Sequence, residues 1–212
     1  MDIAKFKKLP ILGIIRTSGP IPVEELIAAV ISSGLRTIEI AMNSYSAEAV
    51  IKQAVKAAKG TLTIGAGTVL DLDTLKTALD SGATFIVMPA RINTVVEYCV
   101  KNEIPVFPGA LTPKEVFDAW RLGAAMVKIF PAGVFGPAYF KELKAPYNNI
   151  DLLACGGVTV DNIKEYFASG ARAVAFGASI FSRDLIDKRD FITIERSIRS
   201  LILKSGFHSA ES

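Results

Sequence analysis

The chain has 212 residues, room for one sizeable core, and half of them are hydrophobic, with a mean hydropathy of +0.38. No apolar run approaches the roughly 20 residues of a membrane span, Met1–Lys8 lacks the apolar segment of a signal peptide, and a net charge of +3 without an aromatic–basic stripe argues against nucleic acid. Two cysteines make no disulfide framework and point to a reducing cytoplasm, while the single histidine, His208 in the C-terminal tail, excludes a Ser-His-Asp triad and the usual zinc ligand sets.

In chain order, the first strand signal is Ile11–Ile15, with Arg16 at its end, and a helical pattern begins near Val23. Ser33-Gly34-Leu35-Arg36-Thr37-Ile38-Glu39-Ile40 then reads as a helix ending at a C′ glycine and running straight into a buried strand. The same pattern returns at Ser81–Met88, Leu122–Ile129 and Ser169–Phe176. Between these segments lie apolar runs at Leu62–Ala66, Pro105–Gly109 and Asp151–Cys155. Further helices are expected from about Ala47, Leu72, Asn93, Pro113, Pro137, Val160 and Leu185. Thr112-Pro113-Lys114-Glu115 offers a complete start signal, with Thr as N-cap, Pro next and Glu at N3. Eight strand–helix units in one short chain indicate an α/β fold, a single-domain (β/α)8 TIM barrel over residues 1–203, with 204–212 a flexible tail. The rival is a doubly wound open sheet, to which Gly65-Ala66-Gly67 would contribute half of a dinucleotide fingerprint.

The glycine register has a geometric consequence. The fifth residue after Gly34, Gly82, Gly123 and Gly170 is Glu39, Val87, Lys128 and Ala175, respectively. In a barrel, alternate strands supply one interior layer, so Lys128 and Glu39 should face each other near the C-terminal mouth, where barrel active sites lie. Both interrupt apolar runs. Burial penalises the ammonium form of a lysine, and the free amine attacks a ketone or aldehyde to give an imine, with a carboxylate beside it to move protons. The alternative is a structural ion pair plugging the barrel, a poor stabiliser against apolar isosteres. Arg16 at the same mouth suits a carboxylate or phosphate, or is merely a solvated loop residue. Gly156-Gly157 after the seventh strand and Gly177 after the eighth suit an anion held by backbone N–H groups, or are only tight turns.

Taken in order, Ile38-Glu39-Ile40, Gly65-Ala66-Gly67-Thr68-Val69, Met88-Pro89, Phe107-Pro108-Gly109, Val127-Lys128-Ile129-Phe130-Pro131, Gly156-Gly157-Val158 and Phe176-Gly177 resemble the motifs of the KDPG/KHG aldolases. These are class I 2-keto-3-deoxy-6-phosphogluconate and 4-hydroxy-2-oxoglutarate aldolases, and the likeness runs over roughly residues 9–200. The resemblance implies that Lys128 forms the Schiff base and Glu39 is the general acid/base. Thr68 would contact the pyruvate-derived part of a small keto acid, with Pro89 and Phe130 packed around it. It implies a homotrimer; no metal or other cofactor is expected for imine chemistry, and composition and charge lead to the expectation of no nucleic-acid or membrane partner. Without the resemblance, Thr68 would serve equally well as a helix cap and Pro89 and Phe130 as wall residues.

Three positions depart from the gluconate-type pattern. Asn43 stands where an Arg holds the substrate carboxylate, and Asn43-Ser44 is similar to the pair of the phosphogalactonate branch. Cys155 replaces a Thr before Gly156, and a thiol is a weak donor to a C4 hydroxyl. Ala178 replaces a phosphate-binding Ser, leaving its backbone N–H, with Ser179 one residue later. The expected function is a class I aldolase that releases pyruvate and an aldehyde from a gluconate- or galactonate-type 2-keto-3-deoxy-6-phospho acid or from 4-hydroxy-2-oxoglutarate. The alternatives are a Mg²⁺-dependent lyase or phosphosugar isomerase on the same barrel, and a catalytically degenerate sugar-acid-binding barrel.

Overall fold

The structure, a computed structural model, describes residues 1–207; His208 and the rest of the expected tail to 212 lie outside the described residues. The strands, all parallel, are β1 (Ile11–Ile15), β2 (Thr37–Ala41), β3 (Thr63–Gly67), β4 (Ile86–Val87), β5 (Val106–Phe107), β6 (Gly109–Ala110), β7 (Val127–Ile129), β8 (Leu152–Cys155) and β9 (Ala173–Phe176). They are hydrogen-bonded in the order β5-β4-β3-β2-β1-β9-β8-β7-β6. The two ends of that order, β5 and β6, are neighbours in the chain, separated only by Pro108. Proline has no N–H to donate, so the ladder is interrupted there. Val106 and Phe107 pair with β4, whereas Gly109 and Ala110 pair with β7. Nine strand segments therefore make an eight-stranded barrel, as the repeat predicts, and the open-sheet alternative is excluded.

The helices are α1 (Ile3–Phe6), α2 (Val23–Ser32), α3 (Ala47–Ala58), α4 (Leu72–Asp80), α5 (Asn93–Lys101), α6 (Pro113–Arg121), α7 (Ala138–Lys144), α8 (Ile163–Ala168), α9 (Arg183–Asp187) and α10 (Phe191–Ser205). At α6 the Thr112 hydroxyl accepts the Glu115 N–H at 3.3 Å, and the Glu115 carboxylate accepts the Thr112 N–H at 2.8 Å, closing the capping box. The C′ glycines Gly34, Gly82, Gly123 and Gly170 all have φ between 92° and 101°, the left-handed region that lets a helix stop within one residue.

Two helices were not expected. In α1 there is one turn, and it places Phe6 under the barrel, where the ring lies 6.1 Å from that of Phe107. Phe6 joins Leu12, Phe85, Val87, Phe107, Met126 and Leu153 in a sealed apolar interior that closes the N-terminal end. The long α10 buries Ile194, Ile198, Leu201 and Ile202 outside the barrel and runs to Ser205, two residues beyond the boundary expected at 203.

The interior layering follows from strand alternation. Ile38 and Ile40 face the helices, so Glu39 between them faces inward; likewise Val127 and Ile129 turn Lys128 inward. Glu39 is paired in register with Ile14 and Gly65, and Lys128 with Gly109 and Leu153.

Candidate active site

At the C-terminal mouth of the barrel lies a cavity of about 390 Å³. Of the residues singled out from sequence, it is lined by Arg16, Glu39, Thr68, Pro89, Lys128, Phe130, Gly156, Gly157, Gly177, Ala178 and Ser179. Val87, expected in the same layer as Glu39 and Lys128, does not reach it and stays in the apolar interior below, whereas Ala175 does line it. Asn43 is exposed and lies in an adjoining cavity that shares only Arg16 with this one. Cys155, considered only as a departure, contributes a buried wall between Lys128 and Gly156, and Ile14, Val158, Thr159 and Phe181 were missed.

The two charged groups sit at the floor of the cavity, Glu39 at 1 % exposure and Lys128 at 6 %. Burial pushes the Glu39 carboxyl above the usual carboxylate range, an effect opposed by the positive charges of Lys128 and Arg16. Glu39 Oε2 is buried without a hydrogen-bond partner, and no ion pair joins Glu39 to Lys128 among the described residues. A structural plug would close this gap with direct contact. Here the carboxylate is left free to bond something placed between them. Gly67 makes room for Glu39, because a Cβ on it would stand 2.3 Å from Glu39 Oε1. The Gly65-Ala66-Gly67 run thus has a packing cause on the strand itself, Gly65 clearing the Phe85 ring and Gly67 the carboxyl, and no dinucleotide fingerprint is involved.

Lys128 Nζ lies 5.2 Å from the centroid of the Phe130 ring, which caps it from the open side. Beside them, Arg16 Nη2 donates to Thr68 Oγ1 at 3.2 Å. Thr68 has φ 58°, a left-handed conformation that costs a β-branched residue on the order of 1–3 kcal/mol. The strain turns the hydroxyl toward Arg16 and the cavity; it does not cap α4, whose N-cap is Asp71. The Cys155 thiol is pushed up by burial, and it stays a neutral wall residue.

On the far side, the backbone N–H groups of Gly157, Val158, Ala178 and Ser179 have no protein acceptor among the described residues. Gly156 and Gly157 have φ 88° and 85°, left-handed conformations that turn the chain sharply after β8 along the cavity wall. Gly157 also touches Gly133, where a Cβ would come within 2.9 Å of the Gly133 Cα. These unpartnered backbone donors are the kind an anion site requires, and they are present without the serine hydroxyl missing at Ala178.

No three His, Cys, Asp or Glu side chains converge in a metal-ligand cluster among the described residues. None of the described helices is long and apolar enough to cross a membrane.

The fold is an α/β barrel with a buried lysine and a buried carboxylate sharing the cavity at its C-terminal mouth, the place where barrel enzymes carry their active sites. The sequence profile of the KDPG and KHG aldolases matches residues 3–197, and the chain belongs to that family and is an aldehyde-lyase. It is 35% identical over 175 residues to the 2-dehydro-3-deoxy-6-phosphogalactonate aldolase of Escherichia coli, covering 82% of this chain and 85% of that one. With the 2-dehydro-3-deoxy-phosphogluconate aldolase of Pseudomonas aeruginosa it shares 30% identity over 201 residues, 94% of this chain and 90% of the other. A solved structure described as native KDPGal superposes with a TM-score of 0.86 at 31% identity, covering 93% and 94% of the two chains.

Proposed function

We propose that the protein is a class I aldolase that cleaves a 2-keto-3-deoxy-6-phospho sugar acid through a Schiff base on Lys128. The observation that carries this reading is the unpaired Glu39 carboxyl facing the same cavity as Lys128, with its ionisation opposed by burial. The Lys128 amine adds to the C2 carbonyl, and loss of water from the carbinolamine leaves an iminium. Glu39 takes the proton of the C4 hydroxyl. The C3–C4 bonding electrons move into the iminium to give an enamine, and the aldehyde leaves. Glu39 returns the proton to C3, and water hydrolyses the iminium to release pyruvate and the free lysine.

Arg16 and Thr68 are suited to the C1 carboxylate, Arg16 by charge and Thr68 by a hydroxyl that accepts from Arg16 and still has its own proton to donate. Pro89 and Phe130 enclose the methylene carbons. The amides of Gly157, Val158, Ala178 and Ser179 are suited to the phosphate. Asn43, outside this cavity, leaves Arg16 as the guanidinium available to the carboxylate. The Asn43-Ser44 pair and the 35% identity to the phosphogalactonate enzyme favour a galactonate-type substrate over a gluconate-type one, with 4-hydroxy-2-oxoglutarate as a smaller alternative. Following the family resemblance, the active unit is a homotrimer, which analytical ultracentrifugation would measure.

Borohydride reduction in the presence of pyruvate should attach the reduced adduct to Lys128, located by peptide mass mapping. An unmodified Lys128, under conditions that trap another imine enzyme, would refute the mechanism. A panel of gluconate- and galactonate-derived acids, phosphorylated and not, with 4-hydroxy-2-oxoglutarate, then decides the substrate by kcat/KM.

A further inference from the structure

Outside the catalytic cavity, the rim of the barrel over β9, β1 and β2 carries a second cavity of about 540 Å³. Its wall is formed by the loop after β1, with Arg16, Thr17 and Ser18, by Asn43, Ser44 and Tyr45 after β2, and by Arg183 and Asp187 of α9. The catalytic cavity alone already falls within the roughly 300–1,000 Å³ of small-molecule sites, so a six-carbon acid has no need of this second space. Arg16 is the single residue common to both walls.

The chemistry of the rim cavity is that of an oxyanion site. Arg183 Nε donates to Asp187 at 3.0 Å and its Nη1 donates to Ser18 Oγ, which fixes the guanidinium plane and leaves Nη2 without a protein partner among the described residues. Arg16 has no carboxylate partner there either; its one bond is the 3.2 Å contact to the neutral Thr68 hydroxyl. Arg183 is thus matched by Asp187, whereas Arg16 has no ion-pair partner among the described residues. Ser44 Oγ accepts the Thr17 N–H and keeps its own proton for a ligand, and Asn43 adds an amide.

We propose that this rim cavity binds a second small molecule, an oxyanion bearing hydroxyl groups, and that its occupant draws Arg16 away from Thr68. Arg16 then reports rim occupancy to the catalytic cavity. When an oxyanion holds it, the hydroxyl of Thr68 loses its charged neighbour and the keto acid loses a guanidinium. The ligand accordingly raises KM for the keto acid without entering the catalytic cavity. The role given to Arg16 rests on the carboxylate assignment made above; binding to Arg183 and Ser18 does not.

The test is calorimetric titration of the full chain with D-glycerate and, separately, with inorganic phosphate, which distinguishes a hydroxy acid from a bare phosphate. Wild type should bind one or both, and Arg183→Ala should weaken that binding by about tenfold or more, the cost of losing one charge-assisted donor. Ser18→Ala, which keeps the Arg183–Asp187 pair, should weaken it less, and it serves if Arg183→Ala fails to fold. Without added anion, Arg183→Ala should turn over keto acid at the wild-type rate. With the anion, KM should rise in wild type and stay flat in the variant. Equal isotherms for wild type and both variants, or no binding of either probe, would overturn the proposal. So would an anion effect on KM of equal size in wild type and Arg183→Ala, since the anion would then sit in the backbone cradle of the catalytic cavity. If the protein cleaves none of the acids in the panel, the titrations still decide the site.

Discussion

Gly67→Ala separates catalysis from stability at one atom. The Gly67 backbone is accessible to alanine, so the effect is steric: the new Cβ would lie 2.3 Å from Glu39 Oε1 and 2.7 Å from its Cδ. Those atoms end a flexible side chain that borders a cavity, and the carboxyl can swing aside. The stability cost should then sit at the low end of overpacking, about 1 kcal/mol, or roughly 2–4 °C in Tm for a chain of this size. A carboxyl moved by about 1 Å from its proton-transfer position should cost on the order of 10²-fold in kcat. Gly65→Ala is the matched control. There the Cβ would meet Phe85 ring atoms at 2.4 Å in the sealed interior, with no space to yield. Its stability loss should be nearer about 3 kcal/mol, with kcat per folded molecule reduced less than in Gly67→Ala. Pyruvate release in a coupled assay and thermal unfolding measure the two quantities. Gly67→Ala with kcat within about twofold of wild type, while a structure shows Glu39 displaced, would refute a fixed acid/base position for that carboxyl.

Glu39 gives a pH signature. Burial raises its folded pKa above the ordinary glutamate value of 4.5, so the folded state holds the proton more tightly than the unfolded chain does. The stability it contributes is fully present below 4.5 and is lost as pH rises through the folded value. Glu39→Gln, which cannot ionise, should therefore gain Tm relative to wild type as pH increases from 4.5, and it should lose the acidic limb of the kcat profile; a pH-independent Tm difference would contradict the burial argument. Lys128→Met exchanges a buried amine for an apolar side chain of similar length, so imine formation should vanish while Tm holds or rises; a large fall in Tm would mark Lys128 as structural. Thr68→Gly removes both a hydroxyl and a strained φ of 58°. Stability should hold or improve by up to about 1 kcal/mol while KM rises, and a lower Tm with unchanged KM would place Thr68 outside the site.

How far the sequence carried depended on whether a signal was local. The helix–glycine–strand register is local; it marks four of the eight strands, the short apolar runs between mark the other four, and the register alone turns Glu39 and Lys128 into one interior. The capping box at Thr112 was equally legible, since all its partners lie within four residues. Pro108 was visible as well, although splitting one strand into β5 and β6 depends on which neighbour each half pairs with. What failed was long-range. The single turn of α1 has no periodicity to detect, and its purpose appears only when Phe6 meets Phe107 beneath the barrel. The Ile194–Ile198–Leu201 spacing of α10 was readable, but the eight-unit count left no place for a further helix.

Asn43 shows the same limit at the site. Sequence places it after the strand that carries Glu39, and the family resemblance puts it where an arginine holds the substrate carboxylate. The loop turns outward after Met42, and Asn43 faces the rim cavity with Ser44 and Tyr45. A loop side chain is aimed by backbone dihedrals that leave no periodic trace, whereas a strand side chain is aimed by alternation, which does. That difference accounts for Glu39 and Lys128 facing the catalytic cavity, as the register predicts, while Asn43 faces the adjoining one. It also means that substituting Asn43 by arginine would not by itself restore a gluconate-type carboxylate clamp: the new guanidinium would begin in the rim cavity beside Arg16. Asn43→Arg should therefore leave KM for the keto acid within about twofold and strengthen oxyanion binding at the rim, where an added charge-assisted donor contributes roughly 1.5–3 kcal/mol. A marked fall in KM would show instead that the loop can turn inward to the catalytic cavity.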